Sequence, residues 1–325
     1  MEEITFGQFV IGAPGSGKTT YCFAVEQYLT AVRREYTIIN LDPANENMPY
    51  SEEKIGLDIN ELITLEDVMQ EHKLGPNGGL TFCMEFLEEN YEWFEERIKS
   101  LGNKYLIFDL PGQIELYTNH FSLRNIIQKL TKSGKINLAA IHIVDGICLT
   151  DATKFISTVL LCMNASIGME MPMIHVLNKI NLLADFPRLR FRLNDFLNTE
   201  GLKYILMSEE NAEKVRLERL GKGAENEYES IKKGFFLKYK GLNSSIAEII
   251  EDYSSVSLVP FDLTDKKYMA YIIALADKAT GFNYADRYSD LEQRLEYDKI
   301  IEYMSFEAAD DLQEKYLDKD NEDIL

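Results

Sequence analysis

The residues of this chain best suited to chemistry begin at Gly12. The run GAPGSGKT, Gly12 to Thr19, fits G-x-x-x-x-G-K-[ST] and lies between an apolar stretch, FGQFVI, and a helix-forming one, TTYCFAVEQYLTAV. Glycines in such a loop let backbone N–H groups turn inward around a phosphate at a helix N-terminus. The lysine reaches the terminal phosphates, and the last hydroxyl ligates Mg²⁺. Gly12, Pro14, Gly15, Ser16, Gly17, Lys18, Thr19 and Thr20 are therefore the nucleotide-binding candidates, with Thr19 also a metal ligand.

Three further groups fall at the ends of apolar runs. YLIFDLPGQIE places Asp109 where a carboxylate can hold Mg²⁺ through water, and Gly112 where an amide can meet the last phosphate. Gln113 and Glu115 follow, a carboxamide and a carboxylate able to orient an attacking water. INLDPAN ends in Asp42, which either projects into the same crevice or makes a strand-end turn before Pro43. HVLNKINLL carries Asn178, Lys179 and Asn181 at the end of a late run. Carboxylates around one Mg²⁺ and a water suit hydrolysis of a phosphoanhydride, in which the protein mainly positions groups and balances charge.

The elements that must position these groups are short and continuously apolar: residues 6–12, 36–42, 105–110, 138–145, 173–178 and 255–261. Unbroken hydrophobicity is what a strand covered on both faces needs, so these runs predict a three-layer, doubly wound, mostly parallel α/β sheet of P-loop NTPase type, with ligands at the carboxyl ends of the strands. Residues 185–250 change to charged, helix-forming sequence and read as a helical insertion within a nucleotide-binding domain spanning 1–284. Residues 286–325 hold 14 acidic and 5 basic side chains, so 285–325 reads as an acidic tail, either a solvated helix or a frayed end.

Bulk properties set outer limits. The 325 residues are enough to bury a large core, and 46% hydrophobic with 11% aromatic content is globular. A formal charge of -20 argues against a broad nucleic-acid or anionic-membrane surface and for partners with basic patches. The four cysteines stand apart as core thiols, His72, His120, His142 and His175 are scattered, and together they offer no evident metal-carrier site. No apolar run of 18 residues is evident, and neither is a leader segment. Between two helical stretches stands GPNGG, Gly75 to Gly79, which taken alone is a turn in which Asn77, Gly78 and Gly79 tolerate left-handed backbone.

With GAPGSGKT, LDPAN, LGPNGG, FDLPGQIE and NKIN in that order, residues 5–284 resemble the GPN-loop GTPases, and LVPFDLTDKKYMAYIIALADKATGF is most similar to the eukaryotic GPN-loop GTPase 2 branch. The resemblance implies a dimeric, Mg²⁺-dependent GTPase cycling between GTP and GDP, paired with itself or with a paralogue. It implies a place in assembly and nuclear import of RNA polymerase II, and of polymerase III as well, through polymerase subunits or assembly factors. It implies a cytoplasmic protein able to shuttle into the nucleus. It also implies that Gly75, Pro76 and Asn77 of one subunit reach toward the nucleotide phosphates of the other, that Asp42, Gln113 and Glu115 position the hydrolytic water, and that Asp109 serves the Mg²⁺.

Two departures stand out. GTPases usually carry Asn-Lys-x-Asp, whereas Asn181 is neutral and offers an NH₂ where guanine presents its own amino group; that pairing suits a 2-oxo purine such as xanthine better. Where the family commonly shows an acid-Ile-Arg run, this chain has Asp58-Ile59-Asn60. Two other readings stay open: a nucleotide or small-molecule kinase with Arg188, Arg190 and Arg192 as lid cations, and a scaffold that binds nucleotide without hydrolysing it.

Overall fold

A computed structural model describes residues 4–318 apart from 46–47, 133, 187–188, 190, 198–200, 221–238, 253–255 and 283–290. Seven parallel strands, β1 (Thr5–Gly12), β2 (Tyr36–Asn40), β3 (Ile55–Asp58), β4 (Tyr105–Asp109), β5 (Ile136–Asp145), β6 (Met173–Asn178) and β7 (Leu258–Pro260), form one sheet in the order β3-β2-β4-β1-β5-β6-β7. Six of them match the six apolar runs. The seventh, β3, is an addition: four residues with a glycine at the second position carry too little apolar signal to stand out. Gly56 is nevertheless required, because a Cβ there would meet Thr37 Oγ1 at 2.4 Å.

The helices are α1 (Lys18–Ala31), α2 (Leu65–His72), α3 (Pro76–Glu89), α4 (Tyr91–Ser100), α5 (Glu115–Thr118), α6 (Ser122–Thr131), α7 (Ala152–Met169), α8 (Leu193–Leu197), α9 (Leu202–Leu220), α10 (Lys240–Asp252), α11 (Lys266–Thr280) and α12 (Leu291–Leu312). The period of two along each strand divides the core in half. Phe6, Val10, Ile38, Tyr105 and Ile107 face one layer of helices, while Phe9, Ile11, Ile39, Leu106 and Phe108 face the other. That is the three-layer, doubly wound arrangement the strand composition predicted.

α7 overturns one expectation, since it is long and apolar enough to cross a membrane. Here it is a core helix whose Phe155, Ile156, Val159, Cys162, Ala165 and Met169 are buried against the sheet and its neighbours. α9, within 185–250, and α10, which runs two residues past it, pack on each other and on α7. Within 285–325, α12 buries Met304, Ala308, Ala309 and Leu312, and the Tyr268 hydroxyl donates to Ala308 O at 3.2 Å. Past α12, Lys315 Nζ and the Tyr316 hydroxyl donate to Asp262 Oδ2 at 2.6 and 2.9 Å, which ties residues 315 and 316 to the loop after β7.

The loop after α1 is joined to α11 by an ion pair with almost no access to water. Arg34 donates to both oxygens of Asp277 at 2.7 and 3.0 Å, and its guanidinium lies over the rings of Tyr105 and Phe282 at 3.9 and 3.6 Å. Burial works against the charge on Arg34, but Asp277 holds it up; burial also raises the Asp277 carboxyl, against the pull of Arg34. Asp277→Asn keeps the shape and leaves a buried guanidinium without its counter-charge. It is expected to lower stability by about 3 kcal/mol, as loss of one partner of a buried pair does; a urea midpoint within experimental error of the unchanged protein would refute this.

Candidate functional site

The loop between β1 and α1 has the backbone that phosphate binding needs. Gly17 has φ +103°, and a Cβ there would come within 2.5 Å of Asn178 Nδ2, so glycine is required on both counts. Asn178 in turn donates to Ser16 O at 2.9 Å, and Lys179 Nζ donates to Gly15 O at 2.6 Å and to Asp145 Oδ2 at 2.8 Å. The end of β6 thus clamps the outside of the loop, with Lys179 itself in the left-handed region at φ 62°. Lys18 is buried, and its Nζ donates to Ala13 O at 3.2 Å. Burial lowers its pKa, while Asp109 and Asp42 pull the other way, an arrangement that favours arrival of an anion.

The two metal candidates, Thr19 and Asp109, lie together. Thr19 Oγ1 donates to Asp109 Oδ2 at 2.9 Å, and burial raises the Asp109 carboxyl although Tyr50 and Thr19 stabilise its charged form. Three buried polar atoms around this cradle have no hydrogen-bond partner among the described residues: Ser16 Oγ, Asp109 Oδ1 and Gln113 Oε1. Unmet buried polar groups are costly, and phosphate, a hard cation and its water would satisfy these three. An all-oxygen donor set of hydroxyl and carboxylate fits Mg²⁺.

Gly112 carries the next residues over the loop. A Cβ on it would lie 2.9 Å from Lys18 Nζ and 2.9 Å from Pro14 Cα, so only glycine lets this segment lean on the phosphate loop. Gln113 follows directly, whereas Glu115 starts α5 and is exposed. Asp42 is half-buried and its Oδ1 accepts from Ala44 N at 3.0 Å, so the strand-end turn is real; its electrostatic coupling to Lys18 also puts it beside the cradle, and burial raises its pKa. Thr20 and Pro14 are exposed, and Asn181 is exposed in a 3-10 turn at Ile180–Asp185. Asn60 Nδ2 donates to Asp58 Oδ1 at 3.0 Å, a local contact that offers no cation to a phosphate.

Gly75, Pro76 and Asn77 are not brought to this cradle within the chain. They stand exposed at the start of α3, with Gly75 as N-cap and Pro76 in the first turn. The expectation of left-handed backbone here is corrected: Gly78 and Gly79 are helical, and Gly79 serves close packing, since a Cβ would meet Leu65 Cδ1 at 2.6 Å. Of the three lid arginines, Arg188 and Arg190 lie outside the described residues, and Arg192 lies 3.6 Å from Asp310.

Sequence reasoning missed Tyr50 and Asp145. Asp145 ends an apolar run as Asp42 and Asp109 do, and that signal was available. Tyr50 carried none, because its partner is far away in the chain. Its hydroxyl donates to Asp109 Oδ2, the oxygen that also accepts from Thr19, and so competes with a cation for the charge of this carboxylate. Tyr50→Phe is expected to lower the Mg²⁺ concentration needed for tight nucleotide binding about fivefold, one hydrogen bond's worth. A Mg²⁺ titration of nucleotide affinity that shifts the other way would show the phenol to be a support instead.

The chain has relatives among known proteins. Residues 10–282 match a family described as conserved hypothetical ATP binding protein. GPN-loop GTPase 2 of Danio rerio is 38% identical over 316 residues, covering 97% of this chain and 94% of the relative. GPN-loop GTPase QQT1 of Arabidopsis thaliana is 37% identical over 319 residues, covering 97% and 98%. Among solved structures, a GTPase in apo form from Pyrococcus abyssi superposes with a TM-score of 0.57 at 21% identity, covering 85% of this chain and 97% of that one, which supports the fold.

Proposed function

The chain belongs to the GPN-loop GTPase family, and from that premise we propose that it is a Mg²⁺-dependent GTP hydrolase that works as a dimer, with itself or a paralogue, in assembly and nuclear import of RNA polymerase II. The observation that carries the hydrolase reading is the set of orphaned polar atoms, Ser16 Oγ, Asp109 Oδ1 and Gln113 Oε1, around a loop whose lysine is already placed. Mg²⁺ bound by Thr19 and Asp109 would supply charge neutralisation on the phosphates. The chain's own groups do the rest. Lys18 and the loop amides hold the phosphates, Gly112 brings its amide to the terminal one, and Gln113 orients the water. Asp42 and Glu115 complete the carboxylate set named by the sequence.

The dimer reading is supported by Gly75, Pro76 and Asn77, which stand exposed to solvent at the start of α3. In a mixture of Lys18→Ala and Asn77→Ala proteins, hydrolysis is expected to exceed the sum of the two alone, because a mixed dimer carries one intact shared site. A strictly additive rate would count against sharing. The polymerase client rests on family membership and on the -20 charge, which suits a basic partner surface.

The experiment that tests the proposal as a whole is phosphate release and equilibrium binding with GTP, XTP and ATP in Mg²⁺, with oligomeric state recorded for each. GTP preferred and hydrolysed supports it, with guanine selectivity coming from groups other than exposed Asn181. XTP equal to GTP, or binding with no phosphate release, overturns the GTPase assignment in favour of a xanthine-tolerant or non-hydrolysing scaffold.

A further inference from the structure

His142 and His175 are 33 residues apart in the chain and side by side in the sheet. They pair in register on β5 and β6, both are buried, and their Nδ1 atoms lie 3.0 Å apart. From α7, which packs over these strands, Cys162 adds a fully buried thiol, so that one ligand atom from each of the three lies within 4.8 Å of the others. One turn on, Ser166 Oγ is 3.0 Å from His175 Nε2. If that nitrogen carries the hydrogen and donates it to Ser166, the Nδ1 lone pair is turned toward His142, the outer-shell arrangement that fixes a ligating imidazole. Tyr117 lies alongside, its ring edge-on to His142 with centroids 5.7 Å apart, and its buried hydroxyl has no partner among the described residues.

We propose that His142, Cys162 and His175 form a buried site for a thiophilic d10 cation, Cu⁺ or Zn²⁺, with Tyr117 as the fourth group. Two imidazoles and a thiolate are the ligand set that such ions select over Mg²⁺. Both imidazoles are already neutral, since burial holds His142 at about 3 and His175 at about 4, with His175 adding to the effect on His142. Neither has to shed a proton when the ion arrives. The Cys162 thiol, pushed up by burial, does lose one, which passes to solvent as the metal–sulfur bond forms. One thiolate cancels the charge of Cu⁺. Zn²⁺ leaves one positive charge, which loss of the Tyr117 phenol proton would cancel.

The rearrangement is small. Metal–nitrogen bonds of about 2.0–2.1 Å put two tetrahedral nitrogens about 3.3 Å apart, so the 3.0 Å pair opens by only a few tenths of an ångström. A hydrogen-bonded neutral histidine pair explains the 3.0 Å contact alone, and it leaves the converging thiol and the orphaned phenol without a role. The site lies three residues before Asp145 on β5 and three before Asn178 on β6, the residues that lead into the clamp on the phosphate loop. A bound ion would therefore stiffen that clamp.

The test uses the full chain, stripped with chelator under reductant and saturated with Mg²⁺ and GDP, so that the cradle and neighbouring Cys22 are covered. One equivalent of Zn²⁺ or of Cu⁺ is added in separate arms and retained metal is measured after desalting. The unchanged protein is expected to keep about one equivalent of at least one ion, and Cys162→Ser under about 0.1. Loading with Co²⁺ should give a thiolate charge-transfer band that survives Cys22→Ser and is lost in Cys162→Ser. Retention of neither ion by the unchanged protein, absence of the band in it, or equal retention by Cys162→Ser and His142→Gln would each overturn the site.

Discussion

Gln113→Ala is expected to leave GTP affinity within about threefold and to slow single-turnover hydrolysis by about 10²- to 10³-fold, the range for loss of a positioned water-orienting group. The split follows from where Gln113 stands. It follows Gly112, where a Cβ would crowd Lys18 Nζ and Pro14, so the residue starts beside the phosphate loop, and its buried Oε1 has no partner among the described residues. An unmet acceptor contributes little to ground-state binding, and only a water held between it and the terminal phosphate completes it. Gln113→Glu is the sharper companion, since it keeps an acceptor at the same position but removes the amide donor and adds charge beside the phosphates. It should fall between the two. If both variants hydrolyse at the unchanged rate, Gln113 is a structural residue, and Asp42, also electrostatically tied to Lys18, becomes the candidate for positioning water.

How much of this was legible beforehand depended on whether the signal was local. The phosphate loop is one contiguous turn between a strand and a helix, so its residues announced themselves, as did Asp109 and Asn178 at strand ends. The strands were legible because both faces are covered, which leaves unbroken apolar runs; β3, cut by Gly56, was not. Tyr50 was hidden because its meaning comes from Asp109, 59 residues on. The histidines looked scattered for the same reason: only the parallel register of β5 and β6 makes neighbours of His142 and His175. α7 shows the limit from the other side. Its apolar length has the same composition as a membrane span, and only packing against β5 and β6 shows it to be core.

The histidine pair also fixes how the protein answers acid. In the folded chain burial holds the two imidazoles at about 3 and about 4, whereas unfolded histidine titrates near about 6.5. The folded pKa values are depressed, so for these bases the contribution to stability is intact above about 6.5 and is lost as pH falls from there toward 4 and then 3. Between pH 6 and 5 the unfolded chain binds nearly two more protons at these positions than the folded one, which gives a slope of about 2.5 kcal/mol per pH unit. Asp42, Asp109 and Asp277, raised by burial, act in the opposite sense over part of this range, so the comparison that isolates the histidines is with a double variant, His142→Gln with His175→Gln. In the presence of chelator, urea unfolding at half-unit steps of pH should show the unchanged protein losing about 2.5 kcal/mol more per unit than the variant. Parallel slopes would mean that the pair takes up protons while folded, and that the strands around it open to water more readily than their packing implies.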